Sequence, residues 1–292
     1  VTTEGKGIPP ETFAFLYKTN EPALCRLVER RDNMKQHVWV DSQNRKLSVV
    51  VHINEEQEKQ KAIVVCCHGF TSDKIGTNQL MLNVAKAIAA AGIITVRFDF
   101  SGSGESEGEF ADDTIVSGWL EDVGNVFHWI KGEPRFSGLP VYLLGHSLGG
   151  LIALSYDDAA IAGRLVLAPV VKPIDNFCDI ILGPELWQRS VQGETVANFL
   201  NKGFSLSPRF ARELLEKRYE PLVKAQSYQT PLFIVHGDED AVVPLAGSQE
   251  LYFRYKCEKQ LEIIPADHVF AGRHTELTSL LVGWLEKQTE GL

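Results

Sequence analysis

A serine stands between closely spaced glycines in Gly145-His146-Ser147-Leu148-Gly149-Gly150. An apolar run, Val141-Tyr142-Leu143-Leu144, comes directly before it, and a run of helical character, Leu151-Ile152-Ala153-Leu154, directly after. A strand that turns this sharply into a helix forces the residue at the turn into a strained backbone conformation. The residues two before and two after it must then be tiny to avoid collision, and Gly145 and Gly149 meet that need. The turn lifts the Ser147 hydroxyl above the sheet edge, at the start of a helix whose unpaired first amides can meet developing negative charge. That is a position for a nucleophile. A serine hydroxyl becomes a useful one only when a neighbouring base removes its proton and an acid holds that base in the right tautomer.

Two loops offer these partners. After Leu232-Phe233-Ile234-Val235 comes the acid-rich turn His236-Gly237-Asp238-Glu239-Asp240-Ala241-Val242-Val243-Pro244, in which Asp240 or Asp238 can serve. After Ile263-Ile264 comes Pro265-Ala266-Asp267-His268-Val269-Phe270, which makes His268 the candidate base. His274 is the weaker alternative, because it falls at the start of the last predicted helix. Both loops follow strands, and ligands of parallel sheets bind beyond the carboxyl ends of the strands. An oxyanion hole needs two backbone donors. One is Leu148, which follows the serine; the other is expected in Cys66-Cys67-His68-Gly69-Phe70-Thr71-Ser72, where Gly69 lets the chain turn under a substrate and Phe70 offers its N–H.

Positioning these loops takes a sheet. Short apolar runs alternate with amphipathic stretches of helical period, the pattern of strands joined by crossover helices. Strands are predicted over 37–40, 46–52, 62–67, 93–98, 141–144, 164–167, 231–236 and 260–264, the first two as a hairpin around Asp41-Ser42-Gln43-Asn44. Helices are predicted over 78–91, 114–131, 148–157, 208–217, 247–255 and 276–287. The expected fold is therefore α/β, a mostly parallel eight-stranded sheet flanked by helices. Residues 1–36 form an N-terminal extension with a short helix at 22–30, and 37–292 the main domain. Within it, 170–228 reads as an inserted cap with helical pieces and no strand. Its aromatic residues, among them Phe177, Trp187, Phe199, Phe204, Phe210, Tyr219 and Tyr228, are expected to form a small core of their own.

Composition narrows the function classes. With 44% hydrophobic and 23% charged residues the chain has the makings of an ordinary globular core. A net charge of -9 argues against a nucleic-acid surface, which needs clustered Lys and Arg. No apolar run reaches the length of a membrane span, and the first ten residues lack the blocks of a signal peptide. Five cysteines without paired metal-ligand spacing read as free thiols, so a cytoplasmic location is expected. Gly102-Ser103-Gly104-Glu105-Ser106 lacks the third glycine of a dinucleotide fingerprint and the Lys-Ser/Thr pair of a P-loop, and reads as a structural turn. His68, His146 and His236 share no ligand spacing, so no metal site is expected.

With these residues in view, the chain resembles the α/β-hydrolases of the cinnamoyl or feruloyl esterase type, in the wider group that holds monoacylglycerol lipases and serine aminopeptidases. The marks are His68-Gly69-Phe70-Thr71, Val96-Arg97-Phe98-Asp99-Phe100-Ser101-Gly102-Ser103-Gly104-Glu105-Ser106, the Ser147 turn, His236-Gly237-Asp238-Glu239-Asp240 and Ala266-Asp267-His268-Val269-Phe270. The resemblance implies Asp240 rather than Asp238 as the acid, and Phe70 and Leu148 as oxyanion donors. It implies a cofactor-free serine carboxylesterase whose partner is a small-molecule ester, with no nucleic acid and no membrane. A peptidase, thioesterase or lipase with the same triad stays open, as does a non-catalytic binding protein on this fold. The cap carries none of these marks.

Overall fold

The computed structural model describes residues 34–57, 59–199, 201 and 203–291; the helix expected at 22–30 lies outside them. The strands are β1 (Met34–Ser42), β2 (Arg45–Ile53), β3 (Ile63–Cys67), β4 (Ile94–Phe98), β5 (Val141–His146), β6 (Ile161–Leu167), β7 (Val196–Phe199), β8 (Phe204–Leu206), β9 (Leu232–Gly237) and β10 (Lys259–Ile264). Eight of them make one sheet in the order β1-β2-β4-β3-β5-β6-β9-β10. β2 runs antiparallel to β1 and β4, and every other neighbouring pair is parallel. β3, β4, β5 and β9 are buried along their whole length, as strands must be when helices cover both faces. The predicted hairpin is present: Gln43 and Asn44 turn the chain with φ of 50° and 62°, the left-handed pair that a two-residue β-turn requires.

The helices are α1 (Leu80–Ala90), α2 (Phe110–Asp113), α3 (Val116–Gly132), α4 (Leu148–Ser155), α5 (Pro173–Asn176), α6 (Pro184–Gln192), α7 (Pro208–Lys217), α8 (Pro221–Lys224), α9 (Leu245–Arg254) and α10 (His274–Gln288). Alternation along each strand sorts the core into two layers. Val64, Cys66 and Leu144 face α1 and α10, which bury Leu80, Val84 and Ile88 against Leu277, Leu281 and Trp284. Ile63, Val65 and Leu143 face the opposite layer, where α3 and α4 contribute Trp119, Val123, Phe127, Leu148 and Leu151. The helix expected from 78 begins only at Leu80, because Asn78 and Gln79 hold φ of 54° and 62°.

The segment 170–228 departs from expectation twice. It contains strands after all, the antiparallel hairpin β7/β8. These strands are only 4 and 3 residues long, and a register shift between Ala197 and Phe199 interrupts them. So short a run gives no period-two pattern to read. Its aromatics also do not keep to themselves. Phe177, Trp187, Phe210 and Tyr228 are buried in the same cluster as α3 and α4. Between α5 and α6 the chain makes one π-helical turn, Phe177–Ile181. Four cysteines, Cys66, Cys67, Cys178 and Cys257, are free thiols. Among the described residues no helix is long and apolar enough to cross a membrane.

Candidate active site

The turn after β5 is built as its glycines foretold. Ser147 takes φ 56° and ψ -119°, and its amide donates to the carbonyl of Leu167 on β6 at 3.0 Å. A β-carbon on Gly145 would stand 2.1 Å from the Gly149 carbonyl oxygen, and one on Gly149 would stand 2.2 Å from that of Cys67. Backbone cannot give way as a side chain can. Gly149→Ala is therefore expected to lower stability by about 2–3 kcal/mol or more, read from urea unfolding. A variant as stable as wild type would show that the close approach is dispensable.

α4 starts at Leu148 and is buried at all 8 positions, so its terminal carbonyls cannot turn to water. Side chains meet them instead. Arg164 donates to the carbonyls of Ala153 and Tyr156, both at 3.0 Å. The Tyr228 hydroxyl donates to Leu154 and the Lys224 ammonium to Ser155, both at 2.7 Å. Two cations thus sit at the negative end of the helix whose positive end carries Ser147.

The acid and the base meet at the carboxyl ends of β9 and β10. His268 Nδ1 lies 2.7 Å from Asp240 Oδ2. Asp240 Oδ1 accepts the amides of Val242 and Val243, each at 2.8 Å. Burial alone would raise the Asp240 carboxyl. Hydrogen bonds from His236 and His268, the attraction of His268 and the Val243 amide outweigh it and hold the group far below the ordinary carboxylate range. Asp238 is exposed. Gly237 lets the two loops cross, since a β-carbon there would meet the Ala266 carbonyl at 2.1 Å. His274 is no rival base: its Nε2 donates to the Val269 carbonyl at 3.1 Å and its Nδ1 faces the Asn83 amide at 3.0 Å.

The loop after β3 is held rigidly. His68 Nδ1 donates to the Gly69 carbonyl at 2.9 Å, while its Nε2 accepts the Phe100 amide at 3.1 Å. Further along, the buried Lys74 ammonium pairs with Asp99 and Glu105, and Arg97 donates to the Lys74 carbonyl at 2.8 Å. The turn Gly102 to Ser106 wraps the Asp99 carboxylate, whose Oδ2 accepts the Glu105 amide at 2.8 Å. It is structural, as expected. The Phe70 ring packs against Phe110, Phe177 and Phe210.

Ser147, His268, Phe70 and Gly69 line one cavity of about 360 Å³, together with Thr71, Ser72, Thr77, His146, Ala241, Val242, Val269 and the cap residues Ile180 and Ile181. Three residues near it carry work that the sequence did not announce. His146 donates from Nε2 to the His268 carbonyl at 2.8 Å, and its ring lies 4.8 Å from the His268 ring. His236 donates to the Val243 carbonyl at 3.0 Å and stands 3.3 Å from Asp240 Oδ2. Asn176 in the cap donates to the Val242 carbonyl at 2.8 Å. The available signals were the place of His146 next to the serine and of His236 at the head of the acid-bearing turn, and Asn176 had none.

Burial, and then the neighbouring His268, push His146 down to about 3. Burial, and then Arg97, push His52 down to about 4. Both rings therefore stay neutral in the fold while the unfolded chain takes up protons below about 6.5. Their contribution to stability is complete above that pH and is lost as pH falls toward 4, by about 1.4 kcal/mol per pH unit for each ring. Urea midpoints that stay flat from pH 7 to pH 4.5 would contradict this.

Compared with known proteins, residues 58–202 and 188–268 match the family described as serine aminopeptidase, S33. The chain is 24% identical to a monoacylglycerol lipase of Mycolicibacterium smegmatis over 70% of its own length and 80% of the lipase. It is 26% identical to human protein ABHD12B over 65% of its own length, but only 49% of ABHD12B. Among solved structures, Est1E of Butyrivibrio proteoclasticus with ferulic acid bound superposes with a TM-score of 0.75 at 22% identity, over 86% of this chain and 98% of that one. An esterase of Pyrococcus furiosus superposes with a TM-score of 0.67 at 22% identity, over 88% and 92%. With the matched residues spanning well over half of the chain, on the sheet order and serine turn just described, this protein belongs to the serine aminopeptidase S33 family of α/β-hydrolases.

Proposed function

We propose that the protein is a cofactor-free serine carboxylesterase that hydrolyses small to medium acyl or aryl esters through an acyl-enzyme. The observation that carries the reading is the 2.7 Å contact of the buried Asp240 carboxylate with His268, which lines the same cavity as Ser147 at its strained turn. In this reading the Asp240 carboxylate accepts a hydrogen bond from Nδ1–H, keeping the proton on Nδ1 and leaving Nε2 bare to take the proton of Ser147 Oγ. Oγ bonds to the ester carbonyl carbon, and the carbonyl oxygen becomes an oxyanion facing the amides of Phe70 and Leu148. Collapse expels the alcohol, which takes the proton from His268. Water then repeats the sequence on the acyl-enzyme, releases the acid and frees Ser147.

The family description favours a second reading, an aminopeptidase. Such an enzyme has to hold a free α-ammonium group, usually with a carboxylate. Among the described residues lining the cavity none carries a carboxylate, Asp175 and Asp179 belonging to a neighbouring groove that shares Ile180 with it, and Ile180, Ile181, Ala241 and Val242 make one side of the cavity apolar. That lining supports an ester with an uncharged arm. The ferulic acid held by Est1E makes hydroxycinnamoyl esters worth including. The test is a rate comparison on p-nitrophenyl acetate and butyrate, methyl ferulate and an aminoacyl anilide. Turnover of the esters at rates well above the anilide is expected; preferential anilide cleavage would make the protein a peptidase. No turnover, with no labelling of Ser147 by a fluorophosphonate, would leave a binding protein.

A further inference from the structure

We propose that a second, apolar groove beside the catalytic cavity receives the distal arm of the ester, its aliphatic or aryl group; this rests on the esterase reading above. The groove has a volume of about 200 Å³; Val171, Ile180, Val243, Pro244 and Ala246 give it an apolar lining, while the exposed Lys172, Asp175 and Asp179 stand at its rim. It adjoins the catalytic cavity. Ile180 lines both, and Val242 of the cavity is followed in the chain by Val243 of the groove.

The cap supplies the residue that the two share. Its π-helical turn closes with the Leu182 amide on the Phe177 carbonyl at 3.0 Å, and Phe177 is fully buried while Ile180 is 42% exposed. π-turns of this kind concentrate at functional sites, where the extra residue re-aims side chains. Here the turn puts the consecutive Ile180 and Ile181 both at the cavity. An exposed isoleucine beside an exposed Val242 costs solvation unless an apolar group covers it. Asn176 fixes this wall by donating to the Val242 carbonyl, and the amide of that same Val242 binds Asp240 Oδ1. The groove is thereby tied to the loop that holds the acid.

An ester has two arms that diverge from its carbonyl, and the cavity must let both out. On the Phe70 side the rings of Phe110, Phe177 and Phe210 fill the space. On the other side stands Ile180, which the cavity shares with the groove, and the groove's lining includes the buried Val171 and Val243. An uncharged chain or ring passing that way covers Ile180 and Val242, while Lys172, Asp175 and Asp179 at the rim stay in water. Either the acyl or the alcohol group can supply such an arm.

Ala246 is exposed in the first turn of α9, so a larger side chain there narrows the groove without entering the core. Ala246→Trp and Ala246→Glu are compared with wild type on two series. One is p-nitrophenyl acetate, butyrate and octanoate; the other is ethyl, butyl and octyl acetate. Both variants are expected to keep kcat/KM for the shortest member of each series within about twofold and to lose at least tenfold on the longest member of one series. The series that responds identifies the arm. A loss that falls equally on the shortest members, or no loss on any, overturns the inference while wild-type turnover leaves the esterase reading standing. Binding of octanoate and of octan-1-ol to Ser147→Ala, read by calorimetry, needs no turnover and tests the groove if hydrolysis itself fails. Ala246→Trp in that background must weaken binding at least fivefold, and unchanged affinity overturns the inference.

Discussion

Under the esterase reading, Ser147→Ala is expected to lower kcat toward p-nitrophenyl butyrate by about 10⁴- to 10⁶-fold with KM changed little, the pattern of a nucleophile lost from a site that still binds its substrate. The size of the effect follows from what remains. In the proposed reaction Oγ is the one protein atom that forms the covalent bond, while the cavity wall and the amides at the start of α4 persist in the variant. Replacing Oγ by hydrogen leaves the elbow backbone intact, because the bonds that hold it run through the Ser147 amide and carbonyl, to Leu167, Gly150 and Val170. The variant should therefore unfold at the wild-type urea concentration and lose fluorophosphonate labelling. Residual turnover within about tenfold of wild type would remove Ser147 from the reaction.

Asp240→Asn is expected to cost about 10⁴-fold in kcat. The carboxylate accepts on both oxygens, from two backbone amides on Oδ1 and from His268 on Oδ2, with His236 also 3.3 Å from Oδ2. An asparagine has one accepting oxygen. If it faces the amides of Val242 and Val243, its NH₂ group points at His268 Nδ1, which must then give up its proton. The proton moves to Nε2, and the ring can no longer take one from Ser147. If the side chain flips, the NH₂ group meets two amide donors instead, and the loop from Ala241 to Val243 shifts. The first route costs the ring its accepting Nε2, and the second displaces the loop that positions the ring, while the fold persists. A measured kcat with unchanged near-UV circular dichroism checks this, and a loss under tenfold would point to Asp238 or to no acid at all.

Features set by residues close together in the chain are legible in the sequence alone. The strand, tight turn and helix around Ser147 follow from steric limits on a few consecutive residues, which act wherever the chain goes. The same holds for the Gln43-Asn44 hairpin and for the buried strands, whose apolar runs must be covered on both faces. The choice between Asp238 and Asp240 was different. Spacing left both possible, a family resemblance favoured Asp240, and the loop crossing at Gly237 buries Asp240 against His268 while Asp238 stays exposed.

Other features could not be read from the chain at all. His146 meets the His268 carbonyl across 122 residues, Asn176 meets Val242 across 66, and Tyr228 closes α4 across 74. The β7/β8 hairpin is too short to show a period, and the aromatics of the cap join the main core because the cap folds down onto α3 and α4. The sequence by itself determined the serine turn, the sheet and the side of the sheet on which chemistry can occur. Which acid meets the base, what props the histidine loop, and where the cap leaves an apolar groove were decided by tertiary contacts, since the packing of distant segments leaves no periodic trace in the residues that take part.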